Sequence, residues 1–237
     1  MVRILGDILG SAVYATDGKI GKVTDCYFDE DNWGVRFLLV DAGSWLTNRE
    51  TLISPHSIER TNLNARRIDL DISKDKVKAS PQFNSKPVSR GYEAAYYQYY
   101  GYAPYWPEAG PLGPGLTPVI PPGGVEPAPE LSGHPGSGAV PTDETIHLRS
   151  ARHVNGYRVK ARNGEIGNLD DLLADEISWM VESAIIDTSN WPGGKPVVIP
   201  ADRIERVDWS RARLIVNATT HEIRTSPEFE TSYARRS

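Results

Sequence analysis

At 237 residues with a net charge of −5, the chain has room for one or two domains. It has no run of lysine or arginine, which excludes the basic surface that a general nucleic-acid ligand requires. Its single cysteine, Cys26, excludes an intrachain disulfide framework and a cysteine-based zinc site, and suits a reducing compartment. The N-terminus lacks the continuous apolar region of a secretory signal, and no stretch approaches the roughly 20 apolar residues of a membrane span. The expectation is a cytoplasmic protein without a membrane span.

In chain order, residues 11–15 read as a strand leading into Asp17-Gly18, where positive φ angles would close a tight hairpin. Residues 20–28 follow as a second strand, then the acidic turn 29–32. Residues 33–41 are the strongest strand, because Phe37-Leu38-Leu39-Val40 is apolar on both faces. Shorter strands at 51–54 and 59–63 flank Pro55-His56-Ser57, a single helical turn. In the last strand, 67–72, Ile68, Leu70 and Ile72 alternate with charged residues. Ser73 then N-caps a short helix that runs to Lys78 and stops before Pro81.

A tyrosine-rich segment comes next. Ser89 is its N-cap, Gly101 its stop, and Tyr92, Tyr96 and Tyr99 share one helical face. Residues 104–141 are rich in proline and glycine, with too little apolar content to offset ordering the backbone, and read as an extended linker.

Beyond the linker the first pattern returns. Shifting 16–83 by 146 positions lays it on 162–229 without a gap, and roughly a quarter of the paired residues are identical. Among them are Gly21/Gly167, Asp25/Asp171, Trp33/Trp179, Asp41/Asp187 and Trp45/Trp191. Duplication at this scale means two similar modules. The expected organisation is a module at 1–88, the tyrosine helix and linker at 89–144, and a second module at 145–237. Paired apolar positions such as Ile20/Ile166, Leu39/Ile185, Ile53/Ile199 and Ile68/Leu214 form the expected cores.

The series Asp17-Gly18-Lys19-Ile20-Gly21-Lys22-Val23-Thr24-Asp25, Phe28-Asp29-Glu30, Trp33, Phe37 to Leu46 and Leu52-Ile53-Ser54-Pro55 resembles the PRC-barrel family. The second copy repeats it, with Asn163 in place of the usual Asp and Ala174 in place of Phe28. The resemblance implies an all-β chain: two small antiparallel barrels in tandem, each with a short closing helix, joined by the linker. The family includes the cytoplasmic part of the H subunit of bacterial photosynthetic reaction centres and half of a ribosome-maturation factor. In both, the barrel docks onto macromolecules and carries no catalytic centre. Tandem copies look most like stand-alone bacterial members.

No catalytic, cofactor or metal residue is assigned. The repeated aspartates read as turn caps and strand-end acceptors, since neither copy places a histidine where the other has one. His147 and His153 lack nearby ligands, and Cys26 occupies a core position shared with Leu172. The candidate interaction residues are aromatic: Trp45, Trp191, Tyr92, Tyr96, Tyr99 and Tyr100. Each tryptophan follows a central strand and is either a lid or an interface anchor. The tyrosine segment, found in one copy only, either packs on its own barrel or is a recognition surface, and it is expected to cover the second module or another chain rather than merely complete a barrel.

The expected function is that of a non-enzymatic adaptor docking protein partners, or its own halves as a pseudo-dimer, or a second copy. The alternative is a stress-related regulatory module binding a small molecule or metal at a barrel mouth.

Overall fold

The computed structural model describes residues 2–46, 50–83, 88–106 and 148–230. The proline- and glycine-rich linker lies outside them, apart from its first three residues.

The first half runs β1 (Val2–Ile4), α1 (Leu5–Ile8), β2 (Ala12–Ala15), β3 (Gly18–Asp29), β4 (Val35–Asp41) and β5 (Glu50–Ile53). It continues with β6 (Ile58–Asn62), β7 (Arg67–Leu70), α2 (Lys74–Lys78) and α3 (Arg90–Tyr100). The second half contains β8 (Leu148–Ser150), α4 (Ala151–Val154), β9 (Arg158–Ala161), β10 (Gly164–Asp175) and β11 (Val181–Asp187). After these come β12 (Pro196–Pro200), β13 (Ile204–Asp208), β14 (Arg213–Val216) and α5 (Thr220–Arg224). Every strand of the first half recurs 146 residues later, as do α1, α2 and the one-turn helix Pro55–Ser57, while α3 and the turn Gly43–Trp45 do not. The repeat therefore starts at β1, well upstream of residue 16.

The strands form two seven-stranded sheets of equivalent order, β5-β4-β3-β2-β7-β6 and β12-β11-β10-β9-β14-β13. The pairs β2–β7 and β9–β14 are parallel, a departure from the all-antiparallel expectation. Four intervening strands supply the long connection that parallel pairing needs. Neither hydrogen-bonded path closes on itself among the described residues, so the expected barrel appears as an open, curled sheet. The opening lies at the one-turn helix Pro55–Ser57 and its counterpart Ala201–Arg203.

The seventh strand of each sheet comes from the other half. Strand β1 pairs with β10, with Ile4 opposite Leu173, and β8 pairs with β3, with Ser150 opposite Tyr27. The two halves meet again where Gly34 bridges Met180. There Val35 N donates to Trp179 O and Val181 N to Trp33 O, both at 2.8 Å, a reciprocal pair about a local two-fold axis.

Local chemistry explains the elements. Ser73, Ser89 and Thr219 N-cap α2, α3 and α5, and Gly101 ends α3 in the left-handed region at φ 74°. In the first hairpin only Gly18 has a positive φ; Thr16 and Asp17 form the two-residue loop beyond the Ala15–Gly18 pair. Asp17 instead accepts from Lys74 N at 2.8 Å, and Asn163 accepts from Thr220 N at the same distance. An Asn serves as well as an Asp because the task needs one side-chain oxygen.

The central strand starts at Val35 rather than residue 33. Trp33 and Trp179 take φ 61° and 57° and close the preceding turns, donating to Asp29 O and Asp175 O. The cores are those the repeat marks out: Ile20, Leu39, Ile53, Ile68 and their partners are buried, while Ile58 is only half-buried beside buried Ile204. No helix of the described residues is long and apolar enough to cross a membrane.

Candidate interaction surfaces

The exchanged strands bring together charges from distant parts of the chain. Arg149 Nη2 of β8 lies 2.9 Å from Glu30 Oε1, its guanidinium stands 4.1 Å over the Trp209 ring, and Trp209 Nε1 donates to Glu30 Oε2 at 2.6 Å. Arg3 of β1 makes the matching pair with Glu176 at 2.9 Å. The Arg3/Arg149 equivalence is present in the sequence, along with Gly10/Gly156 and Val13/Val159, but such sparse identities stand out only once the strands are seen.

The repeated aspartates hold backbone. Asp41 accepts from Gly43 N and Asp187 from Ser189 N, each at 2.9 Å. Asp29 accepts from Asp31 N, while Asp175 accepts from the Ser178 and Ile177 amides, and these donors hold the Asp175 carboxyl well below its usual range. Asp25 and Asp171 sit at the seam between halves, binding Arg152 N and Gly6 N respectively. Cys26 is fully buried there, and burial pushes its thiol far up, which leaves it a core residue. His153 lies edge-on to Tyr157 and Trp209, and His147 falls outside the described residues. Among the described residues no three His, Cys, Asp or Glu side chains converge as a metal-ligand set.

The tyrosine segment packs on its own sheet. Tyr96 is fully buried 5.0 Å from Phe37, edge to face, and its hydroxyl accepts from Ser54 N at 3.0 Å. Tyr102 bonds Ser57 at 2.6 Å, and Tyr92 donates to Pro81 O at 3.1 Å. The reason is the open sheet: the amide of Ser54, just past β5, has no ladder partner, and Tyr96 supplies one. At the equivalent site the second half has Pro200, which has no amide N–H to satisfy, and no tyrosine helix covers it among the described residues.

The inward face of α3 is therefore Tyr92, Tyr96 and Tyr100 with Glu93 and Tyr97, and Tyr99 points outward at 38% exposure. Glu93, fully buried, accepts from Tyr105 Oη at 2.6 Å and pairs with Arg90 at 3.3 Å. Burial pushes the Tyr97 and Tyr100 hydroxyls up to about 12. Tyr96, Tyr100 and half-buried Tyr92 are thus core or near-core residues of the first half, a correction to their assignment as interaction residues.

The two paired tryptophans differ. Trp45 is half-buried: its Nε1 donates to Ile20 O at 2.6 Å and Lys74 Nζ stands 4.7 Å over its ring. It lines an open depression of about 430 Å³ with Lys19, Lys22 and Asp41. A narrower cleft of about 110 Å³ lies between α2 and β5, lined by Val77, Pro81 and Phe83. Trp191 is 39% exposed, with no hydrogen bond from its indole nitrogen among the described residues. Ile177, at 84% exposure on the turn after β10, is a third outward apolar side chain that no motif announces.

The PRC-barrel domain family matches residues 3–77, from β1 into α2. Over those residues the chain is similar to a PRC-barrel domain. Its matched range takes in the strand that leaves for the other sheet and excludes both α3 and β8. The PRC-barrel sheet thus gains a strand and an aromatic cover from residues outside its own boundaries. No curated protein matches the chain.

Proposed function

We propose that the chain is a non-enzymatic docking protein in which the second sheet is a diverged second PRC barrel. The two halves act as one body, an intramolecular pseudo-dimer, and engage a protein partner through the loop that carries Trp191. The supporting observation is the contrast between equivalent tryptophans. Trp45 spends its indole donor on Ile20 O, whereas Trp191 keeps its donor and much of its ring outward. A half-exposed indole with an available N–H has the features of an interface anchor. Tyr99 and Ile177 are exposed as well.

The test is a photo-crosslinking residue placed at 191 and, separately, at 45 in the full chain in its native cells. A discrete adduct from position 191 and none from 45 is the expected result. Adducts from neither position, with the protein folded, would remove this surface from consideration.

A second reading has the Trp45 depression binding a small anion beside Lys19 and Lys22. A thermal shift with small carboxylates and phosphates, lost in Lys19→Ala/Lys22→Ala, would favour it over protein docking.

A further inference from the structure

The seam between the halves carries two equivalent aspartates in unequal surroundings. Asp25 receives three donors: Cys26 N at 2.8 Å, Ser150 Oγ at 2.6 Å and Arg152 N at 3.3 Å. Asp171 receives two, from Leu172 N at 2.7 Å and Gly6 N at 3.2 Å. The missing donor is traceable to one residue. Ser150 of β8 offers its hydroxyl to Asp25, and the equivalent residue of β1 is Ile4, which occupies the same register position and has no donor.

We propose that Asp171 is a pH-set latch on the seam, holding α1 against β10 more tightly when its carboxyl is protonated than when it is ionised. Its surroundings favour the neutral form. It is half-buried, and desolvation, opposed by the two amides and reinforced by Asp170 and Asp7, pushes its carboxyl up to about 6. Asp170 lies on its own strand and Asp7 on α1, and Cys26 of β3 is near enough to feel its charge. The cations on the other packed elements are engaged elsewhere, Arg3 of β1 with Glu176 and Arg152 of α4 with Thr24 O. A carboxyl whose folded pKa is raised contributes stability that is complete below about pH 4 and is lost as the pH rises through about 6. The Asp171 latch thus loosens as the pH rises from about 4 to 6.

The local symmetry supplies an internal control. Gly6 N donates to Asp171 as Arg152 N donates to Asp25. In hydrogen exchange on the full chain, corrected for intrinsic rates, Gly6 protection should fall about 10-fold between pH 5 and 7.5. The fall at Gly6 should exceed any fall at Arg152, whose acceptor carries the third donor, Ser150 Oγ. Ile4→Ser, which installs the missing hydroxyl, should lower the Asp171 titration midpoint, read by carboxyl-carbon NMR, by a unit or more. Asp171→Asn should keep Gly6 protected at both pH values. An Asp171 midpoint near 4 in the native chain, or equal pH dependence at Gly6 and Arg152, would overturn the proposal. Should Ile4→Ser fail to fold, the native titration and Asp171→Asn still decide it.

Discussion

Ser54 and Pro200 show how far one residue's chemistry reaches. The Ser54 amide needs an acceptor in a buried place and finds the Tyr96 hydroxyl. Tyr96→Phe should therefore cost about 1–3 kcal/mol in urea denaturation. In a Ser54→Pro background the same change should cost much less, because the orphaned donor is gone, as at Pro200. Equal costs in the two backgrounds would show that the tyrosine acts by packing alone. Leu39 makes a simpler case: it is 2% exposed at the centre of β4, so Leu39→Ala should cost about 2–5 kcal/mol. A loss below about 1 kcal/mol would mean that the site collapses around the gap. Gly21 and Gly167 were visible in the sequence as repeated glycines, but their reason was not. A Cβ at either would meet the carbonyl oxygen of Asp41 or Asp187, which only a folded structure places there.

At the scale of elements, the sequence was readable wherever a local rule governs. The caps at Ser73 and Ser89, the stop at Gly101 and the apolar run of β4 all depend on neighbouring residues. It was unreadable where a partner lies far away. Three-residue β1 has no period to detect, and its place is set by β10, some 170 residues on. The tyrosine helix was legible as a helix and misread as a surface, because its facing residues are decided by the open edge of its own sheet. Replacing Tyr96, Tyr99 and Tyr100 together with Ser should therefore destabilise residues 2–83 without changing the molecular mass in light scattering. A change of mass with stability intact would restore α3 as a surface between chains. Deleting residues 2–4 makes a complementary test: exchange protection should fall at Leu173 and Ala174 of the other sheet first. Loss confined to residues 18–29 would contradict the strand exchange.

For the whole molecule, the exchange of β1 and β8 bears on the order in which the protein is made. The PRC-barrel sheet needs a strand encoded about 120 residues after Asp29, and β1, the first segment to be synthesised, has its partner in β10. At roughly 5–20 residues per second, the ribosome leaves the β3 edge at residues 27–29 bare for about 6–24 s. Contacts of such long sequence separation also form slowly, since loop closure precedes their reward. A nascent chain of this protein thus displays an unpaired strand edge until its second half emerges. In that interval a neighbouring nascent chain on the same message offers the same β1 and β8 strands, and the choice between self-completion and entanglement is made during translation.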